Sequence, residues 1–255
     1  MLTKATGFVD FNFPEDLNGH GTACASIAVG ALIELKWLKD ISGISNSKIQ
    51  RANSFVRIAS YKVFGDKVTV DKSVEVLKNS LLDAMKKATL DKVDVIMVSL
   101  NTDDLSNISS YLCDPVNMGG YLEMKENVVV CTSSCNHGHD YYTLSGGSGG
   151  LAPWVIKTVY EEQDGDLCKV SLISGKGPNP YDPYVLKVMS DTSMVNAVVA
   201  GMLSYIKTFH KDWGIARIKS TIMTSANPVI KSFNKAVLAM RSGCINPLKA
   251  MNPGL

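Results

Sequence analysis

The stretch Ser190-Asp191-Thr192-Ser193-Met194 runs directly into a long apolar segment, residues 195–209. Apolar residues at helical spacing after a cluster of small ones predict a buried helix with Ser193 in its first turn. Unpaired backbone N–H groups and the positive end of the helix dipole favour negative charge at that position. Two interpretations stay open here: Ser193 is a nucleophile beside a stabilised oxyanion, or it only caps the helix.

The same segment resembles the nucleophile segment of the subtilisin-like serine proteases, in their plant, cucumisin-type branch. That branch has Ser-Gly-Thr-Ser-Met, a helix, His-Pro-Asp-Trp, a second helix and Met-Thr-Thr-Ala. The corresponding segments of this sequence are residues 190–194, His210-Lys211-Asp212-Trp213 and Met223-Thr224-Ser225-Ala226. The resemblance implies that Ser193 is the nucleophile of a serine endopeptidase. It also implies peptide or protein substrates and a reaction without metal or organic cofactor.

A histidine flanked by two glycines occurs near the start of the chain, in Asp16-Leu17-Asn18-Gly19-His20-Gly21-Thr22-Ala23. Glycines leave room for close approach by other groups. By itself, such a histidine is usually a solvated loop residue. The segment resembles the family's Asp-x-x-Gly-His-Gly-Thr-His, which implies that His20 is the catalytic base; Ala23 replaces the second histidine.

Alternating strand and helix patterns fill the middle of the chain. We predict strands over residues 55–63, 93–100 and 128–132, helices over about 72–90 and 115–125, and a further strand over 168–174. Residues 1–18 are predicted to be extended chain or loop. Strands separated by helices, with nearly continuous apolar runs, predict an α/β fold with a doubly wound parallel sheet and helices on both faces.

Active sites in such sheets lie at the carboxyl ends of the strands. Ser99-Leu100 and Ser133-Ser134-Cys135-Asn136 follow two of the predicted strands. The second group resembles the family's Ser-Ala-Gly-Asn-Ser-Gly, which implies that Asn136 donates to the oxyanion. The first resembles the Ser-Leu-Gly strand that pairs with substrate. Ser99, Leu100, Ser133 and Ser134 are therefore the expected substrate-binding residues.

Two other site hypotheses fail on context. His137 and His139 supply only two ligands on a loop, too few for a metal centre. The run around Ser148 contains a formal Gly-x-Ser-x-Gly, but a nucleophile elbow requires a strand before it and a helix after it. Ala152-Pro153-Trp154 follows instead, and it resembles the family's Ala-Pro-Trp-Ile strand start.

Bulk composition excludes several other classes of protein. The chain has 255 residues, 45% of them hydrophobic, and a net charge of +2 without charged blocks. These values fit one globular domain and argue against nucleic-acid or membrane partners. The six cysteines contain no Cys-x-x-Cys pair, so we expect scattered free thiols. The family implies an extracellular protein. No signal-peptide pattern begins the chain, and we expect its start to have been lost.

Departures from the family concern both its segments and its chemistry. The triad aspartate, on a Val-x-Asp-Thr-Gly strand ahead of the histidine, has no match; Asp10 is the only candidate outside the histidine segment. Only Val188 separates Lys187 from Met189, where the family has a strand and loops. Asp191 and Cys135 replace glycines beside Ser193 and Asn136.

We therefore expect residues 1–255 to form one incomplete subtilisin-like peptidase domain. The first strand, the protease-associated insertion and the C-terminal β-domain are expected to be absent. Peptidase turnover is expected to be small. The alternative is a catalytically inactive relative that binds peptides or a protein partner.

Overall fold

The computed structural model describes residues 2–4, 15–16, 19–30, 33–34, 48–49, 52–53, 55–63, 73–100, 114–133, 136, 155–158, 161–164, 167–170, 192–227 and 242–254. Its helices are α1 (His20–Val29), α2 (Ser73–Leu90), α3 (Pro115–Lys125), α4 (Thr192–Phe209), α5 (Ile215–Ser225) and α6 (Pro247–Met251). Its strands are β1 (Leu2–Lys4), β2 (Ile33–Glu34), β3 (Lys48–Ile49), β4 (Ser60–Lys62), β5 (Val95–Val98), β6 (Val129–Ser133), β7 (Val155–Thr158), β8 (Glu161–Asp164) and β9 (Leu167–Val170).

A three-stranded parallel sheet of β5, β6 and β7 lies at the centre of the described structure. All five residues of β6 are buried. Val129 and Cys131 pack against α4, whereas Val128 and Val130 pack against α2 and α3. Successive side chains of a strand point to opposite faces, so helices cover the sheet on both sides. The doubly wound α/β fold is confirmed.

Most predicted elements form close to their expected bounds. The helix predicted over 115–125 begins at Pro115, where Asp114 caps it by accepting hydrogen bonds from Val116 N (2.8 Å) and Asn117 N (3.4 Å). The strand predicted over 55–63 is wrong in extent, because only Ser60–Lys62 is paired. Asn53 Oδ1 accepts from Phe55 N, and such side-chain bonds to a nearby N–H compete with ladder formation.

Two further pairings differ from the predicted pattern. Residues 2–4, expected to be extended chain or loop, form β1 and pair in parallel with β4. β9 forms an antiparallel hairpin with β8 and covers residues 167–170 of the strand predicted over 168–174; residues 171–174 lie outside the described residues. Within the described part of the chain, no ladder joins β4 to β5.

Helix α1 packs directly on α4 because small residues line the contact. Cys24, Ala28 and Ala197 form one buried cluster. At Gly201, an ideal Cβ would lie 2.5 Å from both Ala28 O and Ala52 Cβ, so glycine is required for this approach. Cys24 lies against Ser193 and Ala28 against Gly201. The two helices therefore run in the same direction, with their N-termini at the same end.

The segment between α4 and α5 is held by aromatic and polar contacts. The rings of His210 and Trp213 stack with centroids 3.8 Å apart, and Arg217 lies 4.4 Å from the Trp213 ring centroid. Lys207 Nζ donates to Trp213 O at 3.1 Å. These contacts fix the C-terminal end of α4. Among the described helices, none combines the length and apolar character needed to cross a bilayer.

Candidate active site

Helix α1 begins at His20 because Asp16 caps its first turn. The Asp16 carboxylate accepts hydrogen bonds from Gly19 N (2.9 Å), Thr22 N (2.7 Å) and Thr22 Oγ1 (2.8 Å). These bonds satisfy N–H groups that have no partner within the helix. Gly19 has φ 85°, a left-handed conformation that glycine adopts without strain. The half-buried His20 side chain is thereby presented at the helix start.

Helix α4 begins at Thr192 and carries Ser193 as its second residue. Both side chains are buried: Thr192 is 0% exposed and Ser193 is 5% exposed. The predicted helix with Ser193 in its first turn is therefore present. The backbone N–H groups of that turn supply the positive end of the helix dipole near the hydroxyl.

Two side chains from other elements contact the backbone of Ser193. Ser99 Oγ, directly after β5, donates to Ser193 O at 3.1 Å. Cys24 Sγ, one turn after His20 in α1, donates to the same carbonyl at 3.8 Å. Because β5 ends at Val98, both helix starts lie at the carboxyl edge of the sheet. The structure therefore brings His20 and Ser193 to the edge at which the sequence predicted them.

Asn136 reaches the same edge from the end of β6. Its Oδ1 accepts from Thr192 N (3.2 Å) and Thr192 Oγ1 (2.9 Å). Because a single amide oxygen accepts both of these hydrogen bonds, Oδ1 is the end of the amide that faces Thr192 and Nδ2 is the end that faces away. Asn136 is exposed. An amide N–H₂ group beside the Ser193 helix start can donate a hydrogen bond to an oxyanion.

The predicted substrate-binding residues lie at the ends of β5 and β6. Ser99 and Leu100 follow β5 directly and are half-buried. Ser133 is the last residue of β6 and is fully buried. Ser134 lies outside the described residues. The hydroxyl of Ser99 is bonded to the Ser193 backbone, so its side chain contributes to the helix contact.

Other predicted features fall outside the described residues: Asp10, Cys135, His137, His139, Ser148 and Asp191. Among the described residues, no group of three or more His, Cys, Asp and Glu side chains could hold a metal ion. Cys24 and Cys131 are buried free thiols. Burial raises the pKa of the Cys131 thiol far above its ordinary value, so this thiol stays protonated and is a poor nucleophile.

Three contributors to this edge were missed by the sequence analysis. Asp16 belongs to the quoted histidine segment, and an acidic residue shortly before a helix start is a capping signal. Thr192 belongs to the quoted serine segment, but its bond to Asn136 joins residues 56 positions apart. Asn196, a fully buried asparagine within the apolar run of α4, carries no sequence signal of its own.

Comparison with known proteins gives one family. The subtilase family model (Peptidase_S8) matches residues 9–180. Subtilisin-like protease SBT4.14 of Arabidopsis thaliana is 49% identical over 88 residues, which cover 34% of this chain and 12% of that protein. SBT4.10 of the same plant is 25% identical over 358 positions, covering 94% of this chain and 50% of the relative.

The SBT4.10 alignment is longer than the 255 residues of this chain, so that relative has segments without a counterpart here. The chain spans half or less of the length of these curated relatives.

Solved structures of proteases share the fold. The prenylagaramide maturation protease PagA superposes with a TM-score of 0.64 at 18% identity, covering 98% of this chain and 84% of that one. The S41 psychrophilic protease gives a TM-score of 0.65 at 17% identity, with 90% and 78% covered. At these identities the likeness shows the fold alone. The family match over residues 9–180 shows that this chain belongs to the subtilase family, peptidase S8.

Proposed function

We propose that the chain carries out serine-type endopeptidase chemistry, with Ser193 as nucleophile, His20 as general base and Asn136 as oxyanion donor. One observation carries the proposal: α1 and α4 run side by side and begin at the same edge of the sheet. His20 and Ser193 are the first and second residues of those helices.

The proposed reaction follows from these positions. Ser193 Oγ attacks the carbonyl carbon of a peptide bond while His20 takes its proton. Asn136 Nδ2 and the N–H groups of the α4 start stabilise the negative charge on the carbonyl oxygen. His20 then protonates the leaving amine, and water releases the acyl group by the same steps. Peptides or proteins are the proposed substrates, and the proposed location is extracellular.

We propose that turnover is far below that of a complete subtilase. Triad chemistry requires a third group that orients the base. The family's Asp-Thr-Gly segment ahead of the histidine has no match in this sequence. We therefore expect His20 to accept the proton in fewer productive orientations than the histidine of a complete subtilase.

A second candidate function is peptide or protein binding without cleavage. The observation that favours it is the 5% exposure of Ser193, because little of this residue is open to a peptide carbonyl. The strand ends at Ser99 and Leu100 would still offer backbone groups to an extended peptide.

Hydrolysis of an activated peptide ester by the purified chain tests the proposal, with Ser193→Ala as the essential comparison. An activated ester is chosen because it reports weak acyl transfer. We expect a slow rate that is lost in Ser193→Ala and kept in Ser204→Ala, a serine later in the same helix. Equal rates for the chain and Ser193→Ala would overturn the proposal. Saturable peptide binding without any hydrolysis would establish the second candidate instead.

A further inference from the structure

Asn196 lies one helical turn beyond Thr192 in α4 and is 0% exposed. Its Nδ2 donates to Val98 O (3.0 Å), to Ser99 Oγ (3.1 Å) and, at a longer 3.4 Å, to Cys131 O. Val98 ends β5, and Cys131 lies in the neighbouring strand β6. A single amide group therefore ties α4 to two adjacent strands of the parallel sheet.

Ser99 extends this contact to Ser193. The Ser99 hydroxyl accepts from Asn196 Nδ2 and donates its own hydrogen to Ser193 O. Two successive hydrogen bonds therefore connect the buried Asn196 amide, through the Ser99 hydroxyl, to the backbone of Ser193, the proposed nucleophile. Because a hydroxyl has one hydrogen and two lone pairs, Ser99 can hold both partners at once.

The other end of the Asn196 amide is unsatisfied. Among the described residues, no donor lies within hydrogen-bond distance of its buried Oδ1. A buried acceptor without a partner destabilises the folded chain. An apolar side chain of similar size would avoid that penalty, so the asparagine is explained by what its N–H₂ group holds in place rather than by packing.

We propose that Asn196 is a positioning residue for Ser193, acting through Ser99 to hold the first turn of α4 against the ends of β5 and β6. The inference rests on the proposed function for its chemical consequence. Only one residue, Val188, separates Lys187 from Met189 before this helix, where the family has a strand and loops, so the contacts of α4 itself gain importance for where Ser193 lies. Misplacement of a reacting group by about 1 Å can cost roughly 10²-fold in rate.

Two variants and one control test the proposal. Asn196→Leu removes the amide and its unsatisfied oxygen together at similar volume. Ser99→Ala removes the hydroxyl that links Asn196 to Ser193 and keeps the Asn196 bonds to Val98 O and Cys131 O. Asn117→Leu is the matched control, because Asn117 is another buried asparagine early in a helix, in α3. The readouts are peptide-level hydrogen exchange over residues 192–200, the rate of labelling by a fluorophosphonate, and the melting temperature.

We expect faster exchange over residues 192–200 and about a 10- to 100-fold slower labelling rate in both Asn196→Leu and Ser99→Ala. The double variant should lose little more than either single one, because the two residues act in series. The melting temperature of Asn196→Leu should not fall in proportion to the loss of labelling rate. Asn117→Leu should leave exchange over residues 192–200 unchanged.

Unchanged exchange over residues 192–200 in both variants would overturn the proposal. Losses of labelling that track the melting temperature across all three variants would also overturn it, since they would show a general effect of stability. If the unaltered chain takes no label while exchange still rises in both variants, the proposed function fails and the positioning of the helix by Asn196 stands.

Discussion

Thr192 holds the side chain of Asn136 by two hydrogen bonds, and this pairing determines which end of the amide faces outward. We expect Thr192→Val to weaken fluorophosphonate labelling about tenfold, because it removes the hydroxyl donor at nearly constant shape and one hydrogen bond contributes about 0.5–1.5 kcal/mol. Thr208→Val, which removes a hydroxyl bonded to Ser204 O in the same helix, should leave labelling unchanged. Equal labelling by both variants would contradict the role given to Thr192.

Glu123 is a buried carboxyl group away from the site. Burial, with a smaller contribution from Glu126, raises its pKa from 4.5 to about 7. The folded chain therefore binds the Glu123 proton more tightly than the unfolded chain does. The resulting stabilisation is full below about pH 4.5 and is lost as the pH rises through about 7.

Glu123→Gln should consequently stabilise the chain at pH 8 by about 1–3 kcal/mol and by little at pH 4.5. The glutamine oxygen can still accept the hydrogen bond that Thr89 Oγ1 donates to Glu123. Denaturant unfolding at the two pH values measures the difference. Glu126→Gln removes only the smaller contribution and serves as the comparison. An equal gain at both pH values would show that ionisation of Glu123 is not the cause.

The location of a single residue could be predicted where a short segment contains all that identifies it. His20, Ser193 and Asn136 were placed from local segments, and all three lie at the carboxyl edge of the sheet. The sequence alone could not predict the contacts of Asn196 and Ser99. The hydrogen bond between them joins residues 97 positions apart, and no local pattern contains that pairing.

At the level of elements, the contact between α1 and α4 depends on one glycine. Gly201→Ala should destabilise the chain by about 1–3 kcal/mol, because the added Cβ would meet backbone atom Ala28 O and Ala52 Cβ at 2.5 Å. Labelling of Ser193 should fall as well, since α1 must move away from α4. Gly214→Ala is the control: among the described residues its Cβ would meet only Asn127 Oδ1, at 3.5 Å, and the substitution should cost less than about 1 kcal/mol.

Strand β1 suggests where an orienting carboxylate could be restored. Lys4 pairs with Lys62, whose Nζ donates to Glu15 O beside the Asp16 cap of α1. The carboxyl end of β1 therefore lies toward the His20 end of the structure. Ala5-Thr6-Gly7 follows β1 in the sequence, and replacing Ala5 by Asp would create the Asp-Thr-Gly of the family's triad segment. Residues 5–7 lie outside the described residues.

We expect Ala5→Asp to increase ester hydrolysis by at least about tenfold, with the gain lost in Ala5→Asp/Ser193→Ala. In a subtilisin, where the effect has been measured, loss of the triad aspartate costs about 3 × 10⁴ in turnover. Ala5→Asn adds similar bulk without charge and should give no comparable gain. No gain from Ala5→Asp would mean that β1 does not occupy the position of the family's first strand.

The elements themselves followed the hydrophobic pattern closely. The helix predicted over 72–90 forms as Ser73–Leu90, and the strand predicted over 128–132 forms as Val129–Ser133 with all five residues buried. The β4 strand was overestimated because Phe55 and Ile58, apolar in sequence, are 82% and 43% exposed. Apolar residues at a surface mislead any prediction that equates hydrophobicity with burial.

For the molecule as a whole, the fold class followed from alternating strands and helices, but the arrangement of the sheet did not. Among the described residues, β1 pairs with β4 and β5 pairs with β6, with no ladder between the two groups. A strand edge without a partner exposes backbone N–H and C=O groups that can pair with another chain. Sequence reasoning could assign each strand, but pairing between strands far apart in the chain depends on the tertiary structure.

Fluorophosphonate labelling of the purified chain, with the adduct located by mass spectrometry, tests most directly whether this edge of the sheet activates Ser193. We predict slow, stoichiometric labelling of Ser193 that disappears in Ser193→Ala and is reduced at least about 10²-fold in His20→Ala, the usual range for a general base. The same probe should leave Ser204 unlabelled. Labelling that is independent of His20, or an adduct on another serine, would contradict the proposed pairing of His20 with Ser193.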